Sequence, residues 1–325
     1  MAKERVVVGM SGGVDSSVAA YLLKEAGYDV IGVTMQIWQE EEEAVQQENG
    51  GCCGLFAVED ARRVAQMLGI PYYVMNFRKE FKREVMDYFT SEYLCGRTPN
   101  PCIACNRYVK WEALLKRSLD IGADYIATGH YARITRLPNG RSAICNSVTA
   151  AKDQTYALYN LTQEQLAHTL MPVGAYTKEE IRSMAADIGL PVAAKKDSQE
   201  ICFVPDKDYA SFIERETGKT VPEGNFVNTK GEIIGRHRGI THYTVGQRRG
   251  LQIAAGRRIF VLEIRPETNE VVIGEGDEVF SHTVKANRLN FMGLEEFPIG
   301  TSVELTGKIR YLSLIHISEP TRRSY

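Results

Sequence analysis

Long apolar runs are missing from this 325-residue chain. None approaches the ~20 residues a helix needs to cross a bilayer, so a helical membrane protein is excluded. The N-terminal apolar run, residues 6–10 behind Met1-Ala2-Lys3-Glu4-Arg5, is too short for a secretory signal. The sequence therefore predicts a cytoplasmic protein without a membrane partner. A dominant charge sign is missing as well: 39 Lys and Arg face 41 Asp and Glu, for a formal net charge of −2. Any basic surface must be local. Cysteine is sparse and odd in number, seven in all, at 52, 53, 95, 102, 105, 145 and 202. That fits a secreted disulfide scaffold poorly and points to metal, redox or sulfur chemistry in a reducing compartment. No internal repeat is found. Hydrophobic residues at 44% and charged residues at 25% exclude a disordered or collagen-like chain. The length predicts about two or three domains.

The first third alternates strand-like and helix-like patterns. Residues 6–10 read as a short buried strand, and 30–35, 72–75 and 125–128 as three further strands. Residues 16–26, 58–68 and 110–119 carry apolar positions at helical spacing, and Gly27 stands where a helix C-terminal glycine belongs. This alternation predicts a parallel sheet with helices on both faces. Glycines become dense after about residue 205, and 241–245, 259–264 and 270–273 read as strands of an antiparallel region. The acidic run 40–43 and the glycine-rich stretch 50–54 read as a solvated loop.

Ser11-Gly12-Gly13-Val14-Asp15-Ser16-Ser17 lies between the first strand and the first helix. No Gly-Lys-Ser/Thr follows it and no Gly-x-Gly-x-x-Gly precedes it, so it is neither a Walker loop nor a dinucleotide fingerprint. Paired glycines at a helix N-terminus still let backbone N–H groups approach phosphate closely. Asp15 has no reason to sit beside an anion unless a cation joins it, which assigns it to Mg²⁺. The second signal is Pro99-Asn100-Pro101-Cys102-Ile103-Ala104-Cys105-Asn106, where two prolines stiffen the approach to a Cys-x-x-Cys pair. Such a pair is a metal half-site, a redox pair or part of a sulfur-transfer site. The third is Cys202, within Asp197-Ser198-Gln199-Glu200-Ile201-Cys202-Phe203.

Ser11 to Ser16 resembles the PP-loop of N-type ATP pyrophosphatases. Taken together with 97–106, Thr128-Gly129-His130-Tyr131, Lys152-Asp153-Gln154, 197–203 and Thr244-Val245-Gly246-Gln247-Arg248, the chain resembles the tRNA-specific 2-thiouridylase (MnmA/TrmU) family over residues 5–311. The resemblance implies an α/β fold: a Rossmann-like PP-loop ATPase domain with a parallel sheet over 1–205, a small central linking domain over 206–278, and the start of a truncated C-terminal β-barrel over 279–311. Residues 312–325 read as a sequencing-adapter translation, with the natural protein continuing past Tyr311.

The resemblance also implies an activity: ATP-dependent adenylation of the C2 oxygen of a wobble uridine, then sulfur transfer to give 2-thiouridine. It implies ATP binding by Gly9, Met10, Ser11, Gly12, Gly13, Val14, Asp15, Ser16, Met35 and Gly129, with Mg²⁺. Cys105 matches the nucleophile, and Cys202 the persulfide carrier that ends in a disulfide with it. Asn100, Pro101 and Cys102 match the segment that meets the target base. His130, Lys152, Asp153, Gln154, Arg310 and Tyr311 match tRNA-contacting positions. Partners would be a tRNA with a wobble uridine and a sulfur donor, either a cysteine desulfurase or a relay protein. Many members have Asp where this chain has Cys102. That departure keeps open a [4Fe–4S] cluster on Cys102, Cys105 and Cys202, as in another PP-loop tRNA thiolase. An ATP-dependent amide-forming ligase and a nonenzymatic, metal-stapled tRNA-binding module also fit parts of the pattern. A basic set at 230–258 (Lys230, Arg236, Arg238, Arg248, Arg249, Arg257 and Arg258) is a candidate tRNA surface, and Tyr243 and His242 are candidates either to stack on bases or to pack.

Overall fold

The computed structural model describes residues 3–37, 55–197, 201–253, 256–280, 283–296, 298, 300, 302–310 and 313–318; at 55, 277, 305, 308–310 and 313–318 the backbone alone is described. The acidic run 40–43, the stretch 50–54 with Cys52 and Cys53, and Tyr311 lie outside these residues. The chain divides into two units. One comprises Met1–Glu80, Cys105–Ser198 and Arg288–Tyr325; the other comprises Phe81–Ala104 and Gln199–Asn287.

The first unit is built on β1 (Arg5–Gly9), β2 (Asp29–Gln36), β3 (Tyr72–Asn76) and β4 (Tyr125–Ala127), with a hairpin of β5 (Ala132–Arg136) and β6 (Ser142–Asn146), and β7 (Thr169–Leu170). Five strands pair in the order β3-β2-β1-β4-β7, every neighbour parallel. Val6, Val7 and Val8 of β1 are fully buried, as a central strand covered on both faces requires. Successive strand side chains point to opposite faces. Val6 and Val8 accordingly share one core cluster with α1 (Val14–Glu25) and α2 (Leu55–Leu68), through Val18, Ala19, Leu23, Ala61, Val64 and Leu68. Helix α1 ends as its sequence dictates: Ala26 caps it, and Gly27, at φ 94°, takes the left-handed conformation that closes the last turn. The strand order reverses direction of growth at β1, so β1 and β4 flank the switch point where ligands bind in open α/β sheets.

Several helices escape a purely periodic reading. The helix expected over 110–119 is wound with π-type spacing over Cys105–Leu114 before returning to α geometry over Leu115–Asp120. Wide turns of this kind concentrate at functional sites. The helix Lys178–Asp187 is entered through a reciprocal capping box of Thr177 and Glu180 and buries Ile181 and Ala185.

The second unit holds β8 (Gly224–Val227), β9 (Ile233–His237), β10 (Ile259–Arg265) and β11 (Glu270–Glu275), in the order β10-β11-β8-β9. The β8–β11 pair is parallel and the other two are antiparallel, so the region is mixed rather than wholly antiparallel. Phe226, Ile240, Tyr243, Leu251, Val261, Val271 and Ile273 form its core. The strand expected over 241–245 is absent; a 3-10 turn, Ile240–His242, occupies its start. Alternation of buried and partly buried side chains survives over 241–244, but the positive φ of Gly239 (125°) and Gly246 (85°) bends the segment into a turn. Tyr243 is thereby settled as a packing residue, edge-on to Phe226 and His237. A final antiparallel hairpin joins β12 (Glu304–Arg310) and β13 (Ser313–Ser318). No helix among the described residues is long and apolar enough to cross a membrane.

Candidate active site

The loop after β1 is shaped by two glycines with different tasks. Gly12 has φ 67°, and a Cβ there would stand 2.3 Å from the Ala57 carbonyl oxygen, so only glycine fits. A Cβ on Gly13 would meet only the Ser11 hydroxyl, at 3.4 Å, which leaves the concave side of the loop open to an anion. The Ser11 N–H donates to Ser16 Oγ (3.1 Å), and the Ser17 hydroxyl donates to the Gly13 carbonyl (2.8 Å). These bonds fix the first turn of α1. Gly129, at the end of β4, presses directly on that turn: a Cβ would lie 2.6 Å from Ser16 N. Thr34 donates to the Met10 carbonyl (2.7 Å), which ties β2 to the loop one residue before Met35. The residues assigned to ATP on either side of β1 are thus gathered at the carboxyl ends of β1, β2 and β4.

Charge converges on the same place from distant parts of the chain. Asp15 Oδ1 accepts from the Tyr131 hydroxyl (2.8 Å) and from Lys178 Nζ (2.6 Å). The Lys178 ammonium also reaches Asp197 (2.8 Å), which in turn holds Lys152 (2.8 Å) and Arg182 (3.1 Å). Lys195 donates to the Gly12 carbonyl (3.0 Å) and to Asp60 (2.7 Å). Burial, then the Asp15 charge, pushes the Tyr131 phenol upward, so it stays protonated and donates. Burial also opposes charge on Asp197, but hydrogen bonds from Lys152 and Lys178 prevail and lower its carboxyl to about 2. A carboxyl depressed in the folded state stabilises the fold above its unfolded pKa and loses that contribution as pH falls through the folded value. Asp197→Asn is therefore expected to cost about 2 kcal/mol near pH 6, with the deficit closing between pH ~4 and ~2. Urea midpoints of both proteins across that range check it; a deficit independent of pH would contradict it.

Cys105 is half-buried at the head of the π-type helix. The next residue, Asn106, is buried: its amide donates to the Ala157 carbonyl (3.0 Å), and its Oδ1 accepts from Lys110 (2.7 Å). Lys110 reaches His130 Nε2 (3.4 Å), and His130 Nδ1 meets Thr128 Oγ1 (2.7 Å). Since the ammonium can only donate, the network assigns the imidazole proton to Nδ1. Burial, assisted by the Lys110 charge, pushes the His130 pKa well below its ordinary value and keeps the ring neutral. His130 follows Gly129, so this network links the helix that begins at Cys105 to the phosphate loop.

Asp153 is buried and accepts from the Ser147 N–H (2.9 Å), while Gln154 Oε1 accepts from the Tyr131 N–H (3.0 Å). In the second unit, Asn100 Oδ1 accepts from the Cys102 N–H (3.0 Å) and Pro101 opens the helical turn Pro101–Ala104, a cap and first-position pair that follows from the Asn-Pro sequence. Cys102 is exposed. Cys202 is half-buried beside Phe203, which packs edge-to-face on Phe81 and Phe89 and against Phe212. Arg310 ends β12, where only the backbone is described. Lys230, Arg236, Arg238, Arg248, Arg249, Arg257 and Arg258 are all exposed. Among the described residues no three His, Cys, Asp or Glu side chains gather to hold a metal ion, so nothing supports a [4Fe–4S] cluster on Cys102, Cys105 and Cys202. A magnesium ion carried with a nucleotide asks for only one or two carboxylates beside the phosphates, and Asp15 at an anion-ready loop fits that need.

Sequence reasoning gave no role to Asp60, Lys110, Tyr131, Lys178, Lys195 or Asp197. One signal for Lys178 was present. A lysine in the first helical turn opposes the helix dipole, so tertiary carboxylates had to compensate it.

A parallel sheet with a glycine-rich, serine-lined loop at its switch point defines an α/β nucleotide-binding protein of the PP-loop type. Residues 4–206 match the family model described as the tRNA methyl transferase HUP domain, and residues 210–275 match the tRNA methyl transferase PRC-barrel domain. The chain is 72% identical over 308 residues to the tRNA-specific 2-thiouridylase MnmA of Lachnoclostridium phytofermentans, covering 95% of this chain and 86% of that protein. It is 57% identical over 311 residues to the enzyme of the same name from Clostridium perfringens, and 57% over 312 residues to that of Acetivibrio thermocellus, in each case covering 96% of this chain and 86% of the relative. The chain belongs to the tRNA-specific 2-thiouridylase family. The PRC-barrel match falls on the segment read as the central linking domain, whose four described strands form an open sheet.

Proposed function

We propose that this protein is a tRNA-uridine 2-sulfurtransferase that replaces the C2 oxygen of the wobble uridine by sulfur and converts ATP to AMP and pyrophosphate. The observation that carries the reading is the 72% identity to a named 2-thiouridylase across 95% of the chain. Oxide is a poor leaving group, so the C2 oxygen is first adenylated and leaves as part of AMP. The N–H groups around Gly12 and Gly13, with the Ser11 and Ser16 hydroxyls, bind the phosphates; Met35 and Gly129 border the adenine. Magnesium bound with the nucleotide, beside Asp15, supplies charge neutralisation on the departing pyrophosphate.

Cys202 carries the sulfur as a persulfide. Its terminal sulfur attacks C2 and AMP leaves. The Cys105 thiolate then attacks Cys202 Sγ; the S–S bond breaks with its electron pair going to the sulfur on C2, which becomes the thiocarbonyl, and Cys105 and Cys202 are left as a disulfide. A thiol reductant resets that disulfide, and a cysteine desulfurase or relay protein reloads Cys202. Asn100, Pro101 and Cys102 meet the flipped-out base. His130, Lys152, Asp153, Gln154, Arg310 and Tyr311 contact the tRNA, and the exposed basic set of the second unit contributes charge to its backbone. The working divisions are 1–205 for catalysis, 206–278 as a linker and 279–311 as the beginning of a barrel, in a cytoplasmic protein.

Nucleotide accounting tests the reaction class. With unmodified substrate tRNA, ATP and a persulfide donor, one AMP is expected for each 2-thiouridine formed. ADP as the product, or AMP formed equally without tRNA, would refute it.

A further inference from the structure

We infer that Lys178, together with Tyr131, is a positioning residue that fixes which oxygen of Asp15 faces the nucleotide-bound magnesium. The inference rests on the reading that Asp15 meets that ion. Among the described residues, the hydrogen bonds to this carboxylate all fall on Oδ1, from the Tyr131 hydroxyl at 2.8 Å and the Lys178 ammonium at 2.6 Å. Two donors use the two lone pairs of Oδ1 and leave Oδ2 as the cation-facing atom. Asp15 lies in the first turn of α1, so turning its carboxylate redirects negative charge at the mouth of the phosphate loop.

The supports are rigid. The Lys178 side chain is only 7% exposed, and its ammonium is bridged between Asp15 and Asp197 and lies 5.8 Å from the centre of the Tyr131 ring. Lys178 is the first residue of a helix whose entry is locked by the Thr177–Glu180 capping box. Upstream, Gly174 packs against the backbone just after Tyr131: a Cβ there would stand 1.8 Å from the Ala132 carbonyl oxygen. The backbones that present Lys178 and Tyr131 are therefore held together independently of Asp15. A lysine at a helix N-terminus works against the dipole, so the helix itself gains nothing from this residue. Orientation of a ligand-bearing carboxylate is what such a bridge does well.

The test is equilibrium binding of ATP to the full chain as a function of Mg²⁺ concentration. Lys178→Met and Tyr131→Phe are each expected to raise the Mg²⁺ concentration for half-maximal binding by about 10–100-fold, the usual effect of losing a partner that orients a metal ligand. Arg182→Ala removes a partner of Asp197 that does not touch Asp15, and it is expected to leave that concentration within about twofold. Tyr131→Phe deletes a single hydroxyl, so it decides the question if Lys178→Met fails to fold. The inference is overturned if Tyr131→Phe and Lys178→Met bind like the parent while Asp15→Asn raises the Mg²⁺ requirement, or if Arg182→Ala raises it as much as they do. If Asp15→Asn itself changes nothing, the reading beneath the inference fails, and the inference with it.

Discussion

Cys105→Ser is expected to lower 2-thiouridine formation by about 10³-fold or more while leaving ATP affinity within about twofold. A hydroxyl at this position is not ionised near neutrality and does not attack sulfur, so the Cys202-linked adduct is not released. Serine is nearly isosteric, and the bonds from Asn106 to the Ala157 carbonyl and from Lys110 to Asn106 and His130 hold the helix head in the variant as in the parent. A persulfide donor must supply the sulfur, because free sulfide can bypass the carrier cysteine. Cys95→Ser, at an exposed thiol, is the control and is expected to retain parent activity. Wild-type rates in Cys105→Ser would remove this residue from the chemistry.

Gly129→Ala is expected to weaken ATP binding by about 100-fold and to cost about 2–3 kcal/mol of stability. The new methyl group would fall 2.6 Å from Ser16 N and 2.7 Å from the Asp15 carbonyl carbon. Both obstacles are backbone, so no side chain can move aside. The first turn of α1 must lift away from β4, and the donors that receive phosphate move with it. Gly276→Ala, where a Cβ meets nothing within 4 Å, is expected to fall within about 0.5 kcal/mol of the parent. Isothermal titration with ATP and urea unfolding give the two numbers. Unchanged ATP affinity would place the nucleotide somewhere other than the carboxyl ends of β1 and β4.

These effects divide by how far apart in sequence their causes lie. The phosphate loop was legible because strand, glycines, serines and helix are contiguous, and β1 to β4 because short β-branched or aromatic runs alternate with segments of helical spacing. The charge network was not legible. Lys178 reaches Asp15 across 163 positions, Lys195 reaches Gly12 across 183, and Tyr131 reaches Asp15 across 116. Periodicity assigns such residues to a surface face; only the closed fold brings them to one carboxylate. The 241–245 segment failed for the opposite reason. Its local alternation was real, but glycines at 239 and 246 redirected it into a turn that buries Ile240 and Tyr243.

The central claim is that the ATP loop and the two cysteines serve a single reaction on one tRNA base. Nucleoside mass spectrometry tests it most directly, on unmodified tRNA incubated with the protein, ATP, Mg²⁺ and a persulfide donor. The account predicts 2-thiouridine at the wobble position, absent when ATP is omitted. Thiolation without ATP, a methylated nucleoside instead of a thiolated one, or sulfur at another base would contradict it.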